Sequence, residues 1–487
     1  MRTCDTIIRD VEILDGGGGE SRHAHVAIHR DRIEAIGELD GYSALRTVDG
    51  NGKVLAPGFI DAHTHDDLYL IARPDMLPKL SQGVTTVIVG NCGISAAPVR
   101  SSASVPDPMN LLGEARAFRY ETFSSYVDSV NAAQPAVNVA ALVGHTALRN
   151  NHLDRLDRTA TANEIQAMRK QLREALAYGA TGLSTGLAYL SAHSAATEEV
   201  VALAELLRAA GAIYATHLRS ESHAIGEALN EAFSIGQTAG VPVVISHLKC
   251  AGVDNWGRST EVLGTLEAAQ SRQSIAWDCY PYAASSSTLD LRQVDERITI
   301  MISWSDRHPE AAGKTLAEIA ASWAVSQLEA AKRLQPAGAI YHGMSEEDVR
   351  TILRHPGTMI GSDGLPNDPR PHPRLWGTFP RVLGHYSREE RLFPLRVAVR
   401  KMTGLPAERF GLRERGFIRE GYFADLVLFN RETVRDVATF DDPIRVAAGI
   451  EAVWVNGVLS YKHQAATGQR AGRFLPRQTA LLTRRRK

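Results

Sequence analysis

Cysteine is scarce in this sequence, and its spacing excludes one class of fold. The 487 residues include four cysteines, at positions 4, 92, 250 and 279, with no close pair. Small disulfide-stabilised proteins of oxidising compartments carry many closely spaced cysteines. The first residues also lack the continuous apolar stretch of a secretory signal peptide. We therefore expect a cytoplasmic protein.

A large net charge and long hydrophobic runs are absent too. Lys plus Arg (54) and Asp plus Glu (55) cancel almost completely. No global field therefore favours binding to nucleic acid or to an anionic membrane surface. No stretch is long and uncharged enough to predict a transmembrane helix. With 44% hydrophobic and 22% charged residues, the composition is that of a globular protein.

Both ends of the chain are rich in predicted β-strands. Strand-like runs cover residues 6–14 and 25–36 near the start and 424–429 and 452–458 near the end. A length of 487 residues is too great for one simple core. We therefore predict a small β-sandwich domain assembled from both termini, with the boundaries 1–56 and 410–487.

The middle of the chain, residues 57–409, alternates short apolar runs with helical segments. This alternation is typical of parallel βα units. Eight such units predict an α/β fold, a (β/α)₈ TIM barrel. The gap before the last strand is too long for one helix, so residues 283–343 are predicted to be an insertion that covers the active site. The predicted barrel strands are 54–61, 85–90, 137–143, 182–185, 213–216, 243–246, 274–278 and 358–361.

Six potential metal ligands directly follow predicted barrel strands. A lone His-x-His or a single cysteine is more often filler than ligand, but six such residues at strand ends are hard to attribute to chance. Catalytic groups of these barrels lie at the carboxyl ends of strands, and zinc accepts imidazole, thiolate and carboxylate ligands. The sequence therefore predicts a zinc site formed by His63, His65, Cys92, His217, His247 and Asp363.

Longer motifs surround these residues. They read APGFIDAHTHDD at 56–67, VGNCGIS at 89–95, LSTGLAY at 183–189, DGLP at 363–366 and PHPRLWG at 371–377. With them the chain resembles the amidohydrolase superfamily and, within it, the N-acyl-D-amino-acid deacylase (D-aminoacylase) family, over almost its whole length. The resemblance implies zinc-dependent hydrolysis of the amide bond of N-acyl-D-amino acids.

The resemblance also implies a role for each ligand. Cys92, His217 and His247 would hold one tightly bound zinc ion. His63, His65 and Asp363 would line a second, weaker metal position, and Asp363 would carry the catalytic proton. Many members of the superfamily bridge two metals with a carboxylated lysine, but residues 181–189 contain no lysine. Cys92 is the expected substitute, which separates this chain from hydantoinase-like and dihydroorotase-like relatives.

Six further residues are substrate-binding candidates by resemblance. Each has a structural alternative that the sequence leaves open. The tyrosines can be packing residues, the two cations can be solvated or ion-paired, and the histidine can be structural. The candidates are Lys249, Tyr189, Tyr282, Ser286, Arg374 and His145.

The preferred amino-acid side chain is less directly indicated. Residues 337–341 and 362–368 resemble the N-acyl-D-glutamate deacylase branch, which favours an acidic side chain. That branch has an arginine shortly before the pair Trp304-Ser305, where this chain has Met301. A guanidinium binds a carboxylate in bidentate fashion and a methionine does not. Arg292 or Arg297 would then have to replace it.

Two other functions remain as alternatives. One is a cyclic amidase or a dipeptidase of the same superfamily, against which the missing lysine counts. The other is a non-catalytic metal-binding protein, against which the complete ligand set and Asp363 count. Fold alone does not decide among them, because barrels support many chemistries.

Overall fold

The structure is a computed structural model that describes residues 2–100 and 104–478. None of its described helices is long and apolar enough to cross a membrane. The strands are β1 (Arg2–Ile13), β2 (Arg22–His29), β3 (Arg32–Gly37), β4 (Tyr42–Asp49), β5 (Val54–Pro57), β6 (Phe59–Asp61), β7 (Val84–Val89), β8 (Asn138–Gly144), β9 (Gly182–Gly186), β10 (Ile213–His217), β11 (Val243–Ile245), β12 (Ile275–Cys279), β13 (Ser285–Thr288), β14 (Ile300–Ser305), β15 (Ala337–Tyr341), β16 (Thr358–Ile360), β17 (Leu426–Phe429), β18 (Ile450–Val455), β19 (Val458–Lys462) and β20 (Ala465–Ala466).

Helices separate most of the barrel strands. The thirteenth α-helix continues directly into a π-helix, Val382–Glu389. The α-helices are α1 (Tyr69–Ala72), α2 (Leu77–Leu80), α3 (Phe123–Ala133), α4 (His145–His152), α5 (Ala162–Ala177), α6 (Leu190–His193), α7 (Thr197–Ala210), α8 (Ile225–Ala239), α9 (Ser259–Gln270), α10 (Leu316–Trp323), α11 (Gln327–Leu334), α12 (Glu346–Arg354), α13 (Arg374–Arg381), α14 (Leu395–Met402) and α15 (Gly404–Phe410).

Eight parallel strands form the barrel, in the order β16-β12-β11-β10-β9-β8-β7-β6. The amide of Ala62 donates to the carbonyl of Ile360 (3.3 Å), and Thr64 and Gly364 form a parallel bridge, so β6 and β16 close the ring. Strands such as β7 are buried at every position, as expected for parallel strands covered on both faces. The predicted (β/α)₈ barrel is confirmed.

Helix α5 shows how local sequence sets the ends of the barrel helices. The side chain of Thr161 accepts a hydrogen bond from the amide of Glu164, and the side chain of Glu164 accepts one from the amide of Thr161. This reciprocal capping box satisfies backbone groups that the first turn leaves unpaired. Gly179, with a φ of 93°, follows the helix, and glycine adopts this left-handed conformation without strain.

The predicted first barrel strand, residues 54–61, is two strands. β5 pairs with β1 and β17 of the small sheet, whereas β6 pairs with β7 of the barrel. Gly58 lies between them. A side chain does not fit at this position, because a Cβ atom there would lie 2.2 Å from Cγ2 of Thr85. One continuous apolar run therefore serves two sheets, and hydrophobicity alone does not reveal the break.

Strands from both termini make up the second sheet. Its nine strands follow the order β20-β19-β18-β17-β5-β1-β2-β3, with β4 paired to β1. Antiparallel pairing of β5 with β17 joins the two ends of the chain. Its largest hydrophobic cluster combines side chains from both ends, among them Ile8, Val26, Leu426 and Trp454. The small β domain formed by both termini is thus present.

An insertion separates β12 from β16. It contains a three-stranded antiparallel sheet in the order β13-β15-β14, with α10 and α11 packed in its core. Nη2 of Arg374 donates to the carbonyl of Ser286 on β13 (3.1 Å). Nη2 of Arg292 donates to the carbonyl of Ala188 (3.1 Å), which follows β9. The insertion therefore contacts the carboxyl end of the barrel.

Candidate metal centre and active site

Four potential metal-ligating side chains converge at the carboxyl end of the barrel. The donor atoms of His63, Cys92, His247 and Asp363 lie within 4.8 Å of one another, and all four residues are buried. They follow β6, β7, β11 and β16. Residues far apart in the sequence meet here because parallel barrel strands end at one rim.

Sulfur lies at the centre of the group. Sγ of Cys92 is 3.2 Å from Nε2 of His63 and 3.2 Å from Nε2 of His247. Oδ1 of Asp363 is 3.4 Å from Nε2 of His63 and 3.2 Å from Nε2 of His65. His65 thus joins the group through Asp363.

His217, at the end of β10, completes the set on the other side. Its ring centroid lies 4.5 Å from that of His247, and it forms a second cluster of potential ligands with His247 and Glu221. Nδ1 of His217 is buried and has no hydrogen-bond partner among the described residues. The structure therefore brings together all six ligands predicted from the sequence.

Three of these residues have an unusual backbone. The φ angles of Cys92, His247 and Asp363 are 53°, 37° and 49°. Positive φ is uncommon for residues other than glycine, and such conformations cluster at functional sites. The chain therefore turns sharply just after each of these strands, at the residue whose side chain joins the cluster.

Electrostatics set the charges of the thiol and the carboxyl group. Burial raises the pKa of the Cys92 thiol, but the His63 and His247 rings act in the opposite direction and leave it well below its ordinary value. Burial likewise raises the pKa of Asp363, yet Arg374 and the neighbouring histidines hold it well below the usual range. A thiolate and a carboxylate are the forms that bind metals.

A buried lysine network supports the first and last strands. Nζ of Lys79 donates to Oδ2 of Asp61 (2.7 Å) and to Oγ of Ser362 (2.9 Å). Oδ1 of Asp61 accepts from the amides of Ser362 (2.8 Å) and His63 (3.3 Å). This network fixes the backbone beside His63 and Asp363, and sequence inspection missed it because Lys79 lies outside the strand-end pattern.

Asp278 and Glu221 are two further carboxylates that the sequence analysis missed. Asp278 lies at the end of β12, with Oδ1 3.5 Å from Nδ1 of His63 and accepting from the amide of His247 (3.0 Å). Glu221 lies in the loop after β10, with Oε1 2.9 Å from Nδ1 of His247. Both contact imidazoles on the side away from the sulfur. Asp278 has a strand-end signal, whereas Glu221 has none.

Two cations border the site, and both are ion-paired. Nη1 of Arg374 lies 2.9 Å from Oδ2 of Asp363. Nζ of Lys249 lies 2.5 Å from Oε1 of Glu221. The ring of Tyr280 lies between them, 4.5 Å from Cζ of Arg374 and 5.9 Å from Nζ of Lys249. Tyr280, which the sequence analysis did not select, therefore borders the same space.

The predicted Tyr282 lies differently. Its ring packs against His372 (5.1 Å between centroids) and under the guanidinium of Arg381 (4.9 Å). Successive residues of an extended segment point to opposite sides, so Tyr280 and Tyr282 share a side only if the chain stays extended. Here Tyr280 faces the two active-site cations, whereas Tyr282 packs edge-on against His372.

The remaining substrate candidates fall into two groups. The ring of Tyr189 lies 4.9 Å from that of His217, and Oγ of Ser286 is buried without a hydrogen-bond partner in the described chain. Both belong to the mouth of the barrel. Nε2 of His145 instead lies 2.8 Å from Oε1 of Glu199, which Arg149 also binds. His145 is thus committed to a buried ion-pair cluster, in agreement with its structural alternative.

One row of residues across the insertion sheet bears on which substrate side chain the site accepts. Ser286 and Met301 both lie opposite Ile340 on the central strand β15, and residues directly opposite share a face of the sheet. The arginines considered as replacements are neutralised elsewhere. Arg292 pairs with Asp290 (2.6 Å), and Arg297 pairs with Asp254 (2.9 Å) and Asp295 (2.7 Å).

A closed β/α barrel with histidines, a thiolate and a carboxylate gathered at one rim is the framework of a metal-dependent hydrolase. Comparisons with known proteins identify the family. Residues 46–461 match the Amidohydrolase family. D-aminoacylase of Alcaligenes xylosoxydans xylosoxydans is 51% identical over 476 residues, which cover 98% of this chain and 98% of that protein. The chain belongs to the amidohydrolase family and, within it, to the D-aminoacylases.

Two solved structures are closely similar. A structure of D-aminoacylase, concerned with a binuclear centre in which one metal activates and the second attenuates, superimposes with a TM-score of 0.96 at 51% identity, covering 97% of this chain and all of that one. N-acyl-D-glutamate deacylase of Bordetella bronchiseptica, complexed with zinc and a phosphonate that mimics the tetrahedral intermediate, gives a TM-score of 0.93 at 43% identity, covering 98% and 100%.

Proposed function

We propose that this protein is a zinc-dependent deacylase that hydrolyses the amide bond of N-acyl-D-amino acids, giving a carboxylate and a free D-amino acid. The observation that carries the proposal is the convergence of His63, Cys92, His247 and Asp363 within 4.8 Å. Near full-length relatives with this activity support it. The chemistry of the site and the family therefore agree.

The residues present fit zinc. Nitrogen and thiolate donors suit this ion, and Nδ1 of His217 is a buried atom without a partner among the described residues. We assign the tightly bound ion to Cys92, His217 and His247, and a second, weaker position to His63, His65 and Asp363. When bound, zinc lowers the pKa of a water molecule and polarises a carbonyl group.

Asp363 is the proposed proton carrier. Its carboxylate accepts a proton from the attacking water and then donates it to the nitrogen of the leaving amine. Arg374, 2.9 Å away, keeps the carboxylate anionic before attack. The orientation of Asp363 is fixed by its own amide, which donates to the carbonyl of His63 (2.8 Å).

Charged and aromatic groups at the mouth provide a place for the substrate carboxylate. Lys249 and Arg374 lie on either side of the Tyr280 ring, and each can donate to a carboxylate. Tyr189 and Ser286 add hydroxyl groups to the same space. Insertion residues 283–343 act as a cover of the mouth in this proposal, since Arg374 binds the backbone of Ser286.

The contacts of the insertion favour an apolar side chain on the substrate. Met301 and Ile340 share a sheet row with Ser286, whereas Arg292 and Arg297 are neutralised by aspartates. Neither arginine is therefore free to bind the side-chain carboxylate of N-acyl-D-glutamate, the substrate toward which the sequence leaned. We therefore expect methionine and leucine derivatives to be better substrates than glutamate.

The decisive experiment compares mirror-image substrates. Zinc-loaded protein is incubated with the N-acetyl derivatives of D- and L-methionine, leucine, phenylalanine, aspartate and glutamate, and release of free amine is measured. The proposal predicts hydrolysis of D isomers, with the apolar ones ahead of glutamate. Hydrolysis of hydantoins or isoaspartyl dipeptides without any D isomer would favour the cyclic-amidase or dipeptidase alternative. Zinc binding without turnover would favour a binding protein.

A further inference from the structure

Glu221 contacts three functional side chains at once. Its Oε1 lies 2.9 Å from Nδ1 of His247 and 2.5 Å from Nζ of Lys249, and its Oε2 lies 3.5 Å from Nε2 of His217. The carboxylate is only 14% exposed. A single buried carboxylate therefore joins both histidines of the proposed zinc site to the proposed substrate anchor.

The nitrogens that face Glu221 are those that face away from the centre. Nε2 of His247 lies 3.2 Å from Sγ of Cys92, and its Nδ1 faces both Oε1 of Glu221 (2.9 Å) and Nζ of Lys249 (2.7 Å). His217 presents the reverse arrangement, with Nε2 toward Glu221 and Nδ1 buried without a partner in the described residues. The Glu221 carboxylate thus faces a different nitrogen on each ring, Nδ1 of His247 and Nε2 of His217.

The backbone holds Glu221 in this position. Its carbonyl accepts from the amide of Ala251 (2.8 Å), which ties the loop after β10 to the loop after β11. The Lys249 ammonium donates to Oε1 of Glu221 (2.5 Å). Histidine ligands generally donate their outer nitrogen to such a partner, which fixes ring orientation and tautomer.

We infer that Glu221 is a positioning residue that sets the tautomer and orientation of both His217 and His247 for zinc. This inference rests on the proposed zinc-dependent function. It predicts that loss of the carboxylate lowers zinc affinity, because the two histidine rings lose the group that orients them. Lys249 is a secondary partner of the carboxylate. Because Glu221 is not itself a ligand in this assignment, the protein still binds zinc without it, but less tightly.

The test measures zinc affinity by competition with a chromophoric chelator. Glu221→Gln is expected to lower the affinity about 10–100-fold, the usual effect of removing such a partner. Glu221→Asp, which keeps the charge on a shorter side chain, is expected to fall between wild type and Glu221→Gln. The matched control is Glu231→Gln, since Glu231 is a part-buried carboxylate paired with Arg219 (2.8 Å) outside the proposed ligand set.

Lys249 requires a control of its own. An unpaired ammonium left by Glu221→Gln would repel zinc, so Lys249→Met and the double variant are measured as well. The inference predicts near wild-type zinc affinity for Lys249→Met and, for the double variant, the same decrease in affinity as for Glu221→Gln alone. Recovery of affinity in the double variant would overturn it, because the effect would then belong to the lysine.

A spectrum separates positioning from general destabilisation. Cobalt-substituted Glu221→Gln is expected to show an altered visible absorption band, whereas Glu231→Gln keeps the wild-type band. Equal affinity and identical spectra for wild type and Glu221→Gln would overturn the inference about Glu221 alone. Failure of the wild-type protein to bind zinc would instead overturn the proposed function on which the inference rests.

Discussion

Arg374 and Asp363 form a buried ion pair, with Nη1 of the arginine 2.9 Å from Oδ2 of the aspartate. The other carboxylate oxygen faces His63 and His65. Asp363 therefore has a cation on one side and the proposed metal centre on the other. This arrangement keeps the group in the form that accepts a proton.

Replacement of Asp363 by asparagine is expected to abolish most of the activity. The amide keeps the size of the side chain but cannot accept and release a proton. General acid–base groups typically contribute about 10²–10⁴-fold to rate, so kcat should fall by this range while zinc content changes little. Steady-state kinetics and metal analysis of the purified variant check both expectations. An Asp363→Asn enzyme with full kcat would refute the proton-carrier role.

The charge of Arg374 should set the acid limb of the pH profile. Burial raises the pKa of Asp363 and Arg374 lowers it, with the lowering dominant. Removing the guanidinium therefore favours the protonated acid, and the acid limb of kcat/KM moves to higher pH in Arg374→Gln. Arg374→Lys, which keeps the charge, is the control and should shift the limb less. An unchanged limb in both variants would contradict the electrostatic role.

Cys92 should be required for zinc retention. Its sulfur lies between two imidazoles, so Cys92→Ala removes a ligand from the tight position. Since such sites bind with three or four protein ligands, we expect zinc content to fall well below that of wild type after dialysis. Cys250→Ala alters a buried free cysteine outside the centre and should retain its zinc. Similar zinc contents in the two variants would exclude Cys92 as a ligand.

Asp368 should make stability depend on pH. Burial raises the pKa of this carboxyl group to about 7, and its Oδ2 lacks a hydrogen-bond partner within residues 2–100 and 104–478. The folded state thus binds a proton that the unfolded state releases near pH 4, and stability falls as pH rises toward 7.

Asp368→Asn removes this dependence. Because one pKa unit corresponds to about 1.4 kcal/mol, the variant should gain up to about 3 kcal/mol over wild type between pH 5 and pH 8. Denaturant unfolding of both proteins at the two pH values checks the difference. A difference that is constant with pH would show that Asp368 is ionised in the folded protein at pH 5.

Met301 should control the choice between apolar and acidic substrates. In Met301→Arg, a guanidinium enters the sheet row that contains Ile340 and Ser286. A hydrogen bond to a charged group contributes about 1.5–3 kcal/mol, so the ratio of kcat/KM for N-acetyl-D-glutamate over N-acetyl-D-methionine should rise about tenfold or more. Met301→Leu should leave the ratio near wild type. An unchanged ratio in Met301→Arg would place the side-chain pocket elsewhere.

The barrel and the convergence of the six candidate ligands could be predicted because both follow from one pattern. Buried parallel strands are short apolar runs, and each of these ligands directly follows such a run, as Cys92 follows β7. The break at Gly58 escaped this reasoning, since residues on both sides of it are equally apolar. Only their pairing with different sheets, which is a tertiary property, separates the two strands.

The supporting residues were less accessible to sequence reasoning. Glu221 lies in a loop, where no periodicity indicates which way a side chain points, and its partners lie on β10 and after β11. Tyr280 and Tyr282 lie two positions apart in one hydrophobic cluster, and the sequence could not show which of them faces the two active-site cations. His145 follows a strand like the ligands do, yet it binds Glu199, a residue that only the packing of α7 brings near.

The most direct test of the account is a zinc titration of metal-free protein, with hydrolysis of N-acetyl-D-methionine as the readout. The account predicts no turnover in the metal-free protein and full turnover after about one zinc ion per chain, held by Cys92, His217 and His247. The L isomer should remain intact throughout. Turnover that persists without metal, or zinc-loaded protein that leaves every N-acyl-D-amino acid intact, would contradict it.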